Sequence, residues 1–163
     1  DFGVPQNRKR IYIVLWRHGL LERFSYPKPT GVTTRVADIL EHGKGMEQYR
    51  LSTKLWNAHK RRKRTNALNG KGFGFGLVTP ESPYTNTISA RYYKDGSEVL
   101  IQDDPNNEIP RKLSPREAAS LQGFPRDFVL HKSSVQSYKQ FGNSVSVPVI
   151  EAIAAQLVPL LRS

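Results

Sequence analysis

Ile11-Tyr12-Ile13-Val14-Leu15-Trp16 is a continuous apolar, β-branched run of strand length, and it follows the turn-forming Gly3-Val4-Pro5-Gln6-Asn7. A run without polar alternation suits a strand buried on both faces, as in a parallel α/β sheet. The chain offers such a strand no parallel neighbours. Thr85 to Tyr93 reads as a strand with Val99 to Ile101 as its partner, joined by Lys94-Asp95-Gly96-Ser97, whose Asp-Gly pair favours a tight hairpin. Pro148 to Leu161 carries Ile150, Ile153, Ala154, Leu157 and Leu161 at helical spacing. One apolar strand and one apolar C-terminal helix therefore await the rest of a larger α/β domain. The chain opens on Asp1 and not Met, which reads as a piece of something longer.

Between these ends the pattern is loop-rich. A Pro/Gly/Thr-rich connection at 25–34 leads to a short helical pattern at Val36, Ile39 and Leu40, and residues 49–64 suit a basic helix that buries Leu51, Leu55 and Trp56. Gly70 to Gly76 reads as loop or bulged strand. Ser114-Pro115-Arg116-Glu117 is a helix start, with a capping serine, a proline at the first helical position and a glutamate closing the box. That helix ends at Gly123-Phe124-Pro125.

The 163 residues are 37% hydrophobic and 24% charged, a globular composition, and no run approaches the ~18 apolar residues of a membrane helix. No secretory signal opens the chain. There are no cysteines, which removes disulfides, thiolate zinc sites and a thiol nucleophile together. The four histidines, His18, His42, His59 and His131, have no metal-ligand spacing. The net charge of +11 is uneven: residues 48–80 hold eight basic residues and no acid, while 81–163 hold nine of each. Such a block favours a polyanion, because neutralised phosphates release counterions. Its densest part is Lys60-Arg61-Arg62-Lys63-Arg64, with Trp56, Phe73 and Phe75 nearby. An anionic membrane surface fits less well, since the block lacks a wide apolar face.

Three segments are more specific. They are Phe2-Gly3-Val4-Pro5-Gln6-Asn7-Arg8-Lys9-Arg10-Ile11-Tyr12, then Arg111-Lys112-Leu113-Ser114-Pro115-Arg116-Glu117 continuing to Leu121-Gln122-Gly123-Phe124-Pro125, and Phe141-Gly142-Asn143-Ser144-Val145 closing with Val147-Pro148-Val149. In this order they resemble the last three motif blocks of the cytosine-5 DNA methyltransferases. The resemblance implies an α/β fold: the C-terminal part of a Rossmann-like S-adenosylmethionine-dependent domain, plus a small mixed α+β target-recognition domain. It divides the chain into 1–17 as the end of the catalytic domain, 18–133 as target recognition and 134–163 as a segment returning to the catalytic domain. Tyr49-Arg50-Leu51-Ser52, the Gly-Phe-Gly-Phe-Gly run and Ala90-Arg91-Tyr92-Tyr93-Lys94-Asp95-Gly96 are similar to bacterial Dcm-type enzymes, which modify short CC(A/T)GG-like sites.

In that family the target cytosine is flipped from the duplex, a cysteine thiolate adds to carbon 6, and S-adenosylmethionine donates a methyl group to carbon 5. By resemblance Arg10 contacts the flipped base, and Gln6 and Arg8 place it and its backbone. Asn143, Ser144 and Val145 line the cofactor pocket, and Thr87, of the Thr87-Ile88 pair, approaches the DNA backbone. Lys60, Arg61, Arg62, Lys63, Arg64, Lys71 and Arg91 are the remaining expected DNA contacts, while Arg116 and Glu117 hold the recognition region together. The family's cysteine loop, acidic segment and glycine-rich cofactor loop all belong upstream of Phe2. Phe73-Gly74-Phe75-Gly76 imitates the last of these but follows no buried strand, so it belongs with DNA recognition. The expected partners are double-stranded DNA and an N-terminal catalytic half, without a membrane or a metal, in a bacterial, cytoplasmic, nucleoid-associated protein. A non-catalytic duplex DNA-binding module is the alternative. An RNA-binding protein is a remoter one, with Tyr92 and Tyr93 as its only stacking candidates.

Overall fold

The computed structural model describes residues 2–17 and 24–161. A 3-10 turn at Val36–Ile39 and another at Lys44–Tyr49 precede helix α1, Thr53–Leu68. Three short strands follow, β1 (Leu77–Val78), β2 (Leu100–Ile101) and β3 (Arg111–Lys112). Helices α2 (Pro115–Leu121), α3 (Ser134–Asn143) and α4 (Val147–Leu157) close the chain, with a 3-10 turn at Pro159–Leu161. The sheet is mixed: β2 lies parallel to β1, pairing Leu100 with Leu77, and antiparallel to β3, pairing Ile101 with Arg111.

The core gathers Val36, Ile88, Tyr92, Val99, Ile101, Leu113, Ala118, Leu121, Tyr138 and Phe141, from the first 3-10 turn, the 88–101 stretch, the 113–121 segment with α2, and α3. Two buried tyrosines pin it through their hydroxyls. Tyr92 donates to the Val99 carbonyl and accepts from the Leu113 amide, and Tyr138 donates to the Leu113 carbonyl. Burial raises the pKa of both phenols, so they remain protonated donors. A smaller cluster of Leu51, Trp56 and Leu100, with Phe75 against it, seats α1. The expected caps form: Ser114 Oγ accepts from the Glu117 amide while the Glu117 carboxylate accepts from the Ser114 amide.

Three expectations fail, for identifiable reasons. Ile11–Trp16 lies extended but forms no strand, because among the described residues no other strand pairs with it, although the Tyr26 hydroxyl donates to the Tyr12 carbonyl (2.8 Å). Ile11, Ile13 and Leu15 are consequently 89%, 75% and 87% exposed. Thr85 to Tyr93 is not a strand either. Thr85 makes one parallel bridge to Gln6, and residues 90–95 then wind into turns. The backbone of Ser89 and Ala90 is met by Gly142, so close that a Cβ on Gly142 would fall on the Ser89 carbonyl, and that edge is lost to a ladder. Lys94-Asp95-Gly96-Ser97 is therefore no hairpin. Gly96 does turn in the left-handed region, at φ +64°, but the neighbours of β2 are β1 and β3. Helix α3 was not expected, since its polar sequence shows its buried side only through Tyr138 and Phe141.

Candidate functional site

Segments distant in sequence meet at residues 5–8. Gln6 bridges to Thr85, the Asn7 amide donates to the Thr85 carbonyl (2.9 Å), and the Thr87 hydroxyl donates to the Asn7 carbonyl (2.7 Å). The buried Gln6 side chain donates to the Leu121 carbonyl (3.0 Å) and accepts from Gln122 Nε2 (3.3 Å). Gln122 in turn receives the Val147 amide on its carbonyl (2.8 Å), at the start of α4. The Arg8 guanidinium donates to the carbonyls of Ile88 (3.2 Å), Gly142 (3.1 Å) and Ser144 (2.6 Å). Burial, assisted by the neighbouring Arg10 charge, lowers the Arg8 pKa, and three carbonyl oxygens offset part of that desolvation.

All three motif segments thus converge, together with Thr87-Ile88, on one junction. Gln6 and Arg8 are engaged inside it. Arg10 is exposed and donates locally to the Lys9 carbonyl (2.7 Å). Beside the junction opens a cleft of about 690 Å³, bounded by Phe2, Val4, Arg8, Arg10, Ser146 and Ile153. The Ser146 hydroxyl is buried there without a hydrogen-bond partner, at the N-cap of α4. The expected cofactor residues lie outside this lining: Asn143 is exposed, Val145 is 44% exposed, and Ser144 gives its carbonyl to Arg8, while Val4, Val149 and Ile153 form the apolar side of the cleft. An apolar wall with an unanswered hydroxyl and nearby cations suits a ligand that combines apolar parts with an anionic group. Among the described residues no cluster of three His, Cys, Asp or Glu could hold a metal. No single helix among them is long and apolar enough to cross a membrane.

The expected DNA contacts divide by helix face. At 3.6 residues per turn, Lys54, Lys60, Arg61 and Arg64 fall on the outer side of α1, while Trp56, His59, Arg62, Lys63 and Asn66 face the loop at 70–76. Arg61, Arg64, Lys71 and Arg91 are exposed; the Lys60 ammonium lies 5.5 Å from the Trp56 ring, and that of Lys63 lies 4.4 Å over Phe75. Arg62 Nη1 donates to Asp95 Oδ2 (3.0 Å), and Nη2 donates to His59 Nδ1 (3.0 Å) and the Gly74 carbonyl (3.2 Å). An arginine is always the donor, so His59 carries its proton on Nε2 and gives it to the Asp95 carbonyl (3.2 Å). Burial pushes the His59 pKa down, which keeps that neutral tautomer. Burial alone would favour a protonated Asp95, but bonds from Ser97 and Arg62 outweigh it and lower its pKa.

Sequence reasoning passed over a buried ion pair at the start of α2. Arg111, fully buried, donates to Glu117 through Nη1 (2.7 Å) and Nη2 (2.8 Å), and through Nε to Asp103. Burial opposes the Arg111 charge, yet Glu117 and Asp103 hold its pKa above the ordinary value. The expectation that Glu117 acts as a brace is met, but its partner gave no signal beyond its place in the motif. Arg116 leaves Nη1 buried without a hydrogen-bond partner.

A family model described as C-5 cytosine-specific DNA methylase matches residues 1–159. The type II methyltransferase M.SsoII of Shigella sonnei is 58% identical, over 100% of this chain and 43% of that protein. M.NlaX of Neisseria lactamica is 56% identical, over 100% of this chain and 51% of its own length. The chain thus spans about half the length of the curated relatives it matches. The crystal structure of the S. pombe Dnmt2 methyltransferase superposes with a TM-score of 0.62 at 24% identity, over 80% of this chain and 44% of that one, a likeness of fold.

Proposed function

The chain belongs to the C-5 cytosine-specific DNA methylase family, and from that premise we propose that it is the C-terminal part of a DNA (cytosine-5-)-methyltransferase. Residues 18–133 read the target, a short duplex site of the CC(A/T)GG kind, and residues 1–17 and 134–163 belong to the catalytic body. An N-terminal half, in the same longer chain or as a separate subunit, supplies the cysteine that this chain lacks. The setting is the bacterial cytoplasm, where the DNA is.

The observation that carries this reading is the junction at residues 5–8. It ties the segment expected at the flipped base to the Thr87-Ile88 pair and to the carbonyls of Gly142 and Ser144, beside a cleft that Arg8, Arg10 and Ser146 line. S-adenosylmethionine, when bound, supplies the methyl group. The residues of this chain orient and enclose: Asn143, Ser144 and Val145, with Ser146 next to them in the cleft, would hold the donor, Arg10 would reach the base, and Arg8 would fix the carbonyls around both. Two further features support an incomplete catalytic unit. The exposed apolar residues 11, 13 and 15 form one. The accessible surface of 10844 Å² is the other, against about 8,200 Å² for a compact monomer of this mass.

The test is transfer of labelled methyl from S-adenosylmethionine to a plasmid, by this chain alone and with a complementing N-terminal half. Methylation is expected only in the mixture, and sequencing of the product gives the site. A silent mixture that still binds duplex DNA would overturn the catalytic reading in favour of a binding module, which the absence of cysteine already permits.

A further inference from the structure

The loop 70–76 is built against α1 with unusual closeness. A Cβ on Gly74 would fall on Cα and Cβ of Lys63, so only glycine lets the two backbones meet there. Asn66 Nδ2 donates to the Phe73 carbonyl, Arg62 donates to the Gly74 carbonyl, and Phe75 packs edge-on to Trp56 at 4.9 Å. These ties leave two side chains on the outside, Lys71 and Phe73, the latter 52% exposed.

Arg62 is central to this arrangement and ill placed to bind phosphate. The sequence keeps acids out of residues 48–80, yet the fold brings Asp95 onto Arg62 alone among the five clustered cations. A carboxylate at 3.0 Å cancels the local field that a phosphate would need. The pair does little for stability either, because its side chains are 42% and 34% exposed and solvent screens such a pair. What remains is geometry: a planar fork that binds α1, the Asp95 turn and the loop together.

We propose that Arg62 is a positioning residue for sequence discrimination, fastening the Gly74 carbonyl so that Lys71 and Phe73 meet the duplex in one fixed register. The inference rests on the reading of this chain as the target-recognition part of a DNA methyltransferase. Phosphate contacts set affinity without reading sequence, whereas side chains aimed at the bases read it. Arg62 therefore acts on the ratio of specific to non-specific binding, and Arg61, on the outer face, acts on both alike.

The test uses the chain together with its catalytic half. Two duplexes are compared, one carrying the site that the wild-type enzyme methylates and one with that site scrambled, each titrated across a salt series. Arg61→Gln should weaken both to a similar degree and reduce the slope of log K against log salt by about 0.9, the value for one phosphate. Arg62→Gln should leave that slope unchanged and lower discrimination at least tenfold. Asp95→Asn, which removes no cation, should lower discrimination in the same direction, and the double variant should add little to either single one. The inference is overturned if Arg62→Gln reproduces the Arg61→Gln pattern, or if Asp95→Asn leaves discrimination intact. A wild-type mixture that methylates no DNA would instead sink the functional reading on which it rests.

Discussion

Replacing Arg111 by methionine should be the most damaging single change in the core. It keeps the volume of the side chain and removes the charge. Glu117 would then remain fully buried, having lost bonds of 2.7 and 2.8 Å, with only the amides of Ser114 (2.7 Å) and Glu41 (2.8 Å) still donating to it. Asp103 would keep only Arg50, at 3.8 Å. Leaving one member of a buried pair uncompensated costs about 3–5 kcal/mol, against a total stability of about 5–15 kcal/mol for a domain. At about 2–4 °C per kcal/mol for a chain of this size, the melting temperature should fall by roughly 6–20 °C. Glu117→Gln in the same chain removes the orphaned charge, so the double variant should be less damaged than the sum of the two singles, by about 0.5–3 kcal/mol. Urea unfolding followed by tryptophan fluorescence reads this, since Trp56 is buried in the cluster that seats α1. A loss below about 1 kcal/mol for Arg111→Met, or strict additivity in the double variant, would refute the argument that the pair is braced as a unit.

Gly142→Ala should separate α3 from the Ser89–Ala90 backbone and with it displace the Arg8 bond to the Gly142 carbonyl. It should lower both the melting temperature and methyl transfer, and a variant with normal values of both would show that the contact relaxes freely. Leu15→Glu, at a position 87% exposed, should leave the melting of this chain alone within about 0.5 kcal/mol yet abolish complementation by an N-terminal half. Complementation at the wild-type level would remove Leu15 from the docking face. Ser114→Ala should cost about 1 kcal/mol through the cap on α2, measurable in the same urea titration. His59 has a pKa depressed below its unfolded value near 6.5, so the unfolded chain binds more protons in that range. Its contribution is therefore complete above about pH 6.5 and is lost as pH falls through the depressed folded value. Stability measured from pH 7.5 to 5 should decline more steeply in the wild type than in His59→Gln, and parallel curves would count against the neutral tautomer.

What the sequence disclosed and what it hid follow from the range of the forces involved. The α2 start was legible because a capping box is a four-residue object, complete in Ser114-Pro115-Arg116-Glu117. Helix α1 was legible in outline: expected over 49–64 with Leu51, Leu55 and Trp56 buried, it runs Thr53–Leu68, which leaves Leu51 ahead of the helix and Leu55 half-buried. Strands were misread because a strand is defined by its neighbour. Ile11–Trp16 has the composition of a central strand and no neighbouring strand among the described residues, whereas Leu77–Val78 has neither length nor pattern and is paired because Leu100 lies beside it. The order of the three motif segments revealed the family, but not that their residues would bond to one another. No local rule links Gln6 to Leu121 or Arg8 to Ser144 across more than a hundred positions.

That junction changes how the motif residues are to be understood. Gln6 and Arg8 give side-chain donors to main-chain carbonyls, while the buried Arg8 Nε is left without a partner. Arg10, two residues further on, is exposed and makes only a local bond among the described residues. The same division appears in the basic block. Arg62 is tied to Asp95, His59 and Gly74 while Arg61 and Arg64 stay on the outer face. In both places arginines that look equivalent in sequence are sorted by whether the packed junction reaches them. An extended segment alternates its side chains, so Gln6, Arg8 and Arg10 start on one side, and the order of engagement is set by how far the junction reaches along them. Packing ends at Arg8, whose fork closes over Gly142 and Ser144, and Arg10, the next residue on that side, lines the same cleft as Gln6 and Arg8 with an exposed side chain.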